Sequence, residues 1–408
     1  MERIRVAQVV TRFIAGAGGV ALRGALNLDP ERYEVTVISA PGGRLLGIAE
    51  QAGIRVTRLR HMAPDISPRE DLNGLKELTQ IIGEGRYQVV HTHSSKAGAL
   101  GRIAAHRLNV PAIVHTFHGF PFHDFQSPVR RCVYVAIERA LGRITHRFLA
   151  VGRAVEAEAI RLKLAPLERI RVVAPAIDTS GPSATDRTRR RARSALGLPM
   201  DARVVGTVGR VDYQKAPEAL IEAVASLHRR DLYTVWVGDG PLREQMQLRV
   251  TQQGLGEQFL FLGERADVLK LLPAFDVFAL ASRYEGLPCA IAEAMSCGIP
   301  VVATAVNAVP EVVIPGETGL LVPPADPGRL AVAIEYMLDH RPEARRMAAT
   351  ARRDLGNRFD PRLLGRVLMQ TYEDALGFPH DTSIGSRPPF DGDQGPDATV
   401  RGSQARAS

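Results

Sequence analysis

The chain reads as an α/β protein of two doubly wound parallel-sheet domains of similar size. Three observations predict this. Short β-branched runs alternate with helical patterns from one end to the other. The runs are apolar almost without interruption, as expected of strands covered on both faces. The alternation breaks once, over residues 175–199, which are rich in Pro, Ser, Thr and Arg, and restarts with Arg203-Val204-Val205-Gly206-Thr207-Val208-Gly209.

Expected strands in the first half cover residues 4–10, 33–39, 55–58, 88–91, 112–116, 146–151 and 169–173, with helices at 72–82, 97–108 and 129–141. In the second half the strands cover 202–208, 233–237, 259–262, 277–280 and 301–303, with helices at 217–227, 242–253 and 330–338. This places a first domain at 1–178, a linker at 179–200 and a second domain at 201–357. The tail, 378–408, is rich in Gly, Pro, Ser and Asp without apolar periodicity and is expected to be disordered.

At 408 residues, 45% apolar and 24% charged, the composition is that of a globular protein with two cores. No stretch reads as a membrane span, and no signal-type apolar region precedes the first strand. The three cysteines, Cys132, Cys289 and Cys297, lack metal-ligand spacing and are expected to be thiols in a cytoplasmic protein.

The net charge of +8 is unevenly spread: residues 115–195 hold 15 Arg and Lys against 7 Asp and Glu. The excess suits an anionic partner, or else is a solvated Arg-rich surface. Nucleic acid is not expected, because no aromatic-interleaved basic stretch or reading helix is present. Within this window Val129, Val133, Ile137, Leu141 and Ile144 recur at helical spacing beside Arg130, Arg131, Arg139, Arg143 and Arg147. We expect the stripe to face the core. The other reading is peripheral contact with an anionic membrane, on the inner face of the cell membrane.

The segment richest in chemistry runs from Ser282 to Met295. It carries Glu285 before Gly286-Leu287-Pro288, and Glu293 inside the helix that follows. Eight positions of helix span about 12 Å, too far for a shared proton but suited to holding two parts of one long ligand. Free N–H groups at the helix start favour an anion such as a diphosphate, so a sugar nucleotide meets every demand. Upstream, Gly209-Arg210 and Lys215 put a guanidinium and an ammonium on one loop after a strand, a pair fitted to phosphate oxygens. Gly238-Asp239-Gly240-Pro241 and Gly263 close further strands, where open α/β sheets collect ligands.

In the first half, Gly16-Ala17-Gly18-Gly19 follows the first strand, a loop whose backbone can approach a phosphate. It also contains a formal dinucleotide fingerprint, although the next strand ends in Ser39 with no acidic residue for a ribose. Histidines gather at His91, His93, His115 and His118. A metal site is not expected, since no carboxylate cluster accompanies them and His91 and His93 are taken to face apart. His118, next to Gly119 at a strand end, is placed to meet a sugar hydroxyl or orient an acceptor.

Taken in order, Gly18-Gly19, His118-Gly119, Gly209-Arg210 with Lys215, Gly238-Asp239-Gly240-Pro241, Glu285 to Glu293, Glu311 and Gly319-Leu320-Leu321-Val322 resemble the retaining glycosyltransferases of family 4, with the GT-B fold. The segment from His91 to Gly98 is similar to the branch that builds bacterial surface polysaccharides on lipid carriers. The resemblance implies two Rossmann-like domains facing a cleft and a helix at 358–377 crossing back to the first. It implies a UDP- or GDP-sugar donor held by Gly18, Gly19, Arg210, Lys215, Gly263, Glu285, Gly286, Leu287 and Glu293. His118 and Glu285 are the implied catalytic residues, the acceptor is a sugar or lipid-linked hydroxyl, and no metal or other cofactor is implied. The chain departs from the family where Ala216-Pro217 follows the Lys in place of Gly, and where residues 306–310 replace a Gly-rich turn. A sugar-nucleotide epimerase of the same architecture, a dinucleotide-dependent oxidoreductase and a non-catalytic sugar-nucleotide-binding protein are the alternative readings.

Overall fold

The computed structural model describes residues 2–378, apart from 15, 64, 66, 124 and 180; the tail expected to be disordered lies, beyond residue 378, outside the described residues. The first sheet has seven strands: β1 (Ile4–Arg12), β2 (Tyr33–Ala40), β3 (Arg55–Arg58), β4 (Val89–His93), β5 (Ala112–Phe117), β6 (Arg147–Ala150) and β7 (Ile170–Val172). They run in the order β3-β2-β1-β4-β5-β6-β7, and every pairing is parallel. Its helices are α1 (Ala17–Leu26), α2 (Arg44–Gln51), α3 (Pro68–Gly85), α4 (Ser95–Arg107), α5 (Pro128–Arg143) and α6 (Arg153–Arg161). Strands β4 and β5 are buried at every position, which is why their sequences lack polar alternation.

The second half opens with α7 (Asp186–Ala195). Its strands are β8 (Arg203–Val208), β9 (Leu232–Val237), β10 (Phe259–Phe261), β11 (Val277–Leu280), β12 (Val301–Thr304) and β13 (Leu320–Val322). They form a second parallel sheet, ordered β10-β9-β8-β11-β12-β13. Helices α8 (Pro217–Ser226), α9 (Arg243–Gln252), α10 (Val268–Leu271), α11 (Cys289–Ser296), α12 (Pro327–Asp339) and α13 (Arg341–Leu355) cover it. A last helix, α14 (Pro361–Leu376), returns to the first half.

The docking of α14 follows from its sequence. Leu364, Val367, Leu368, Thr371 and Tyr372 fall on one face and are buried. Asp360 caps the helix by accepting from the Arg362 N–H at 2.8 Å. Close approach to α1 is possible because a Cβ at Gly24 would stand 2.6 Å from Leu368, and one at Gly365 2.3 Å from the Asn27 carbonyl. Burying each leucine here contributes about 2 kcal/mol.

Two expectations need correction. The segment read as a linker contains α7, capped by the Thr185 side chain and fixed to the second half by Arg193, which donates to Asp276 Oδ2 at 2.8 Å. Its Arg-rich composition suggested a solvated connection; burial of one guanidinium against Asp276 made it a helix of the second half. The α5 stripe does not face the core. Val135, Glu138 and Leu141 point inward, Glu138 pairing with buried Arg102 at 2.8 Å, while Val129, Val133 and Ile137 are 75%, 53% and 45% exposed. A series spaced by four drifts about 40° around the helix per step. The stripe therefore starts in solvent at Val129 and reaches the core only at Leu141.

Candidate active site

In each sheet the strand order reverses once, between β1 and β4 and between β8 and β11. Parallel sheets open a crevice beyond the strand carboxyl ends at such points. The two crevices face one another and merge into a cavity of about 1660 Å³. Its walls include Gly19, His118, Arg210, Lys215, Glu285, Gly286, Leu287 and Glu293, eight of the expected site residues. Gly18 and Gly263 are not on the wall. Gly18 packs under the loop, where a Cβ would sit 3.1 Å from the Phe13 backbone. Gly263 bonds back to its own sheet, its carbonyl accepting from the Gly238 N–H at 2.8 Å.

Glu285 sits between β11 and α11 and is buried. Its Oε1 is 2.5 Å from Lys215 Nζ and accepts from the Ser282 hydroxyl at 2.6 Å. Gln214 Nε2 donates to Oε2 at 3.2 Å. The Glu285 N–H donates to Asn307 Oδ1 at 2.8 Å. Lys215 ends a short turn capped by Asp212, whose side chain accepts from the Lys215 N–H. Arg210 is more open: its side chain is 58% exposed and pairs with Asp212 at 2.6 Å.

Both departures from the family pattern have a geometric account. Ala216 holds φ 47 and Asn307 φ 44, the left-handed region in which glycine is unstrained. Asn tolerates that region better than most residues, and here its side chain also orients Glu285. Ala216 adopts it within a buried position of the second core.

Glu293 lies on α11 and faces α1 of the other half, 4.0 Å from the Arg23 guanidinium. Burial pushes its carboxyl up to about 7, and the nearby Arg23 charge opposes that rise. Cys289 and Ala290, the first residues of α11, also reach the cavity, so the positive end of the helix faces it.

From the first half, β5 delivers His118 to the cavity. A Cβ at Gly286 would stand 2.0 Å from the His118 carbonyl oxygen, so this glycine is what lets loops from the two halves meet. Behind His118, its Nε2 is 2.9 Å from His93 Nδ1. The rings of His91 and His93 stand 4.2 Å apart, which corrects the expectation that they face apart: residues two positions apart on a strand share a face. Burial depresses His118 to about 4 and His91 to about 3, so these imidazoles are neutral. No group of three or more His, Cys, Asp or Glu side chains arranged to hold a metal occurs among the described residues.

The sequence reading missed Arg23, Gln214, Ser282 and Asn307. Gln214 adjoins Lys215, Ser282 opens the segment singled out above and Asn307 lies within residues 306–310, and those positions were the available signal. Arg23 reaches Glu293 only through the packing of the two halves.

The chain matches the family model Glycosyltransferase Family 4 over residues 14–180 and that of glycosyl transferases group 1 over residues 188–354. The UDP-Gal:alpha-D-GlcNAc-diphosphoundecaprenol alpha-1,3-galactosyltransferase of Escherichia coli is 30% identical over 312 residues, covering 75% of this chain and 80% of that protein. The chain belongs to glycosyltransferase family 4. A D-inositol 3-phosphate glycosyltransferase from Saccharomonospora viridis is 31% identical over 321 residues, 74% of this chain and 73% of its own. Among solved structures, Anabaena Alr3699/HepE in complex with UDP and glucose superposes with a TM-score of 0.78 at 23% identity, over 91% of this chain and 99% of that one. WaaG, a glycosyltransferase involved in lipopolysaccharide biosynthesis, superposes at 0.73 with 17% identity, over 92% and 100%. These two establish the fold, which is GT-B. The family 4 glycosyltransferase is therefore a transferase, and the epimerase and oxidoreductase readings find no support.

Proposed function

We propose that the enzyme moves a hexose or N-acetylhexosamine from a UDP- or GDP-sugar to a hydroxyl of a lipid-linked surface-polysaccharide precursor, with retention of anomeric configuration. The observation that carries this reading is the Lys215–Glu285 pair before α11, in a cavity that Arg210 and Glu293 also line. Lys215, Arg210 and the positive end of α11 neutralise the diphosphate, and Glu293 accepts from ribose hydroxyls. Glu285 and His118 hold the sugar near the reacting carbon. The leaving group is stabilised by these fixed charges without a divalent metal.

Retention is served by attack on the same face as the departing diphosphate, whose oxygen takes the acceptor proton. Glu285, tied to Lys215, Ser282 and Gln214, acts as a positioning carboxylate rather than a nucleophile. The Escherichia coli relative, named for a UDP-Gal donor and a diphosphoundecaprenol-linked acceptor, supports the donor and acceptor classes. The exposed apolar face of α5, a helix whose Arg131 lines the cavity, is flanked by Arg130, Arg139 and Arg143 and rests on anionic lipid at the inner face of the membrane. No helix among the described residues is long and apolar enough to cross a membrane.

A panel of UDP- and GDP-hexoses, assayed with a polyprenyl-diphosphate-linked sugar and read by the anomeric configuration of the product, tests the proposal. Transfer with retention is expected; an inverted product, or turnover without transfer to any hydroxyl, overturns it.

A further inference from the structure

The hydrogen bonds behind His118 form one continuous chain that ends on the crossing helix. His118 Nε2 lies 2.9 Å from His93 Nδ1, and His93 Nε2 lies 2.5 Å from Gln8 Oε1. Gln8 Nε2 donates to the Tyr372 hydroxyl at 2.8 Å. That hydroxyl is 2.8 Å from His91 Nδ1, and His91 Nε2 is 2.7 Å from Thr116 Oγ1. Gln8, His91, His93, Thr116 and Tyr372 are all buried, so water does not substitute for a missing partner.

The direction of each bond follows from donor and acceptor inventory. The amide oxygen of Gln8 faces His93 Nε2 and its amide nitrogen faces the Tyr372 hydroxyl. Gln8 therefore accepts from His93 and donates to Tyr372. Tyr372, having accepted, donates its own hydrogen to His91. His93, carrying its proton on Nε2, has only a lone pair on Nδ1, and His118 must donate to it from Nε2. That leaves His118 Nδ1 as a lone pair. It has no hydrogen-bond partner among the described residues, and His118 lines the cavity.

We propose that the His93–Gln8–Tyr372 chain holds His118 in its Nε2–H tautomer, so that Nδ1 meets a hydroxyl of the donor sugar as an acceptor, and that α14 is thereby a positioning element of the site. This rests on the reading above that His118 faces the sugar. A lone imidazole exchanges between tautomers, and the Nδ1–H form would offer the hydroxyl a donor instead. Here the choice is made some distance away, by a phenol on a helix that arrives from the far end of the chain. Gln8, His93 and Tyr372 touch no substrate; they act through His118, as outer partners orient a ligating or catalytic histidine elsewhere.

The test is nitrogen NMR of the full chain labelled with [15N]histidine, His118 being assigned by the signal lost in His118→Asn. Wild type is expected to show Nε2–H with a lone pair at Nδ1. Tyr372→Phe and Gln8→Met are expected to show mixed tautomers at His118, with unchanged affinity for UDP alone and about tenfold lower kcat/KM for UDP-hexose turnover. Tyr372→Phe keeps the packing of the helix, so it reads the chain even where Gln8→Met folds poorly. A His118 protonated on Nδ1 in wild type, or a pure Nε2–H tautomer in both variants, overturns the proposal. Failure of the underlying reading looks different: His118→Ala would then turn over UDP-hexoses as fast as wild type, whatever its tautomer.

Discussion

The Lys215 ammonium and the Glu285 carboxylate meet at 2.5 Å across 70 positions of sequence, inside a site where the carboxylate is also held by Ser282 and Gln214. Each is the other's counter-ion, and both are positioned before a substrate arrives. The pair joins the loop after β8 to the loop after β11, the two edges of the second crevice.

Removing one member leaves a buried charge without a partner, which costs about 3 kcal/mol. Lys215→Ala is expected to lose stability by that order and transfer by about 10³-fold. Lys215→Met with Glu285→Gln together should recover most of the stability and none of the transfer. Urea unfolding and initial rates on the three proteins separate the roles; a double variant that transfers sugar would show the pair to be structural.

Glu293, raised to about 7 by burial, titrates within the working range. The native state binds its proton more tightly than the unfolded chain, so the stability it contributes is present below about 4.5 and is lost as pH rises towards 7. Donor binding has the opposite sign, since the ionised carboxylate is the better acceptor for ribose hydroxyls. Calorimetric affinity for a UDP-sugar should tighten from pH 6 to pH 8 and become flat in Glu293→Gln. A wild-type affinity that does not change over that range contradicts the assignment.

The buried histidines make acid destabilising. His91 and His118 are depressed to about 3 and about 4 from 6.5, so the unfolded chain takes up protons that the native chain refuses. Stability is complete above about 6.5 and falls as pH drops towards 4. Denaturation midpoints at pH 5 should lie below those at pH 7, with a smaller difference in His91→Gln. Equal slopes in variant and wild type would mean that His91 is not buried neutral in solution.

Glu311 caps a helix of the opposite half. The first residues of α6 follow Gly152, which has no side chain to cap with, and the Arg153 and Ala154 N–H groups donate to Glu311 at 3.0 and 2.8 Å. Glu311→Ala is expected to cost about 1 kcal/mol and to speed amide exchange at the start of α6. Unchanged exchange there would show that the cap is not held in solution.

Val133→Glu with Ile137→Glu, both on the exposed face of α5, should abolish flotation with anionic liposomes at low salt while leaving the fold intact. Wild-type protein that ignores such liposomes would remove the membrane part of the proposal.

Much of the fold was legible in the sequence because local patterns carry it. Unbroken apolar runs mark strands such as β4, β5 and β8, and glycines beside Arg210, Glu285 and His118 mark the loops at their ends. Where composition and burial disagree, the reading failed. The Arg-rich α7 looked like a solvated linker because no local signal foretells that Asp276 will receive Arg193. The α5 stripe looked inward because apolar residues spaced by four look alike whether or not a core lies beneath them.

By itself, the sequence determined the chemistry available: two carboxylates eight positions apart, a guanidinium and an ammonium on one loop, and a histidine at a strand end. Those properties belong to residue types and short spacings. Only the tertiary structure decided that Lys215 neutralises Glu285, that Arg23 faces Glu293 across the cleft, that Glu311 caps α6, and that Tyr372 stands behind His118. These contacts join groups from different strands, loops and domains. Their geometry is set by the strand order of two sheets and by the return of α14, which no local pattern encodes.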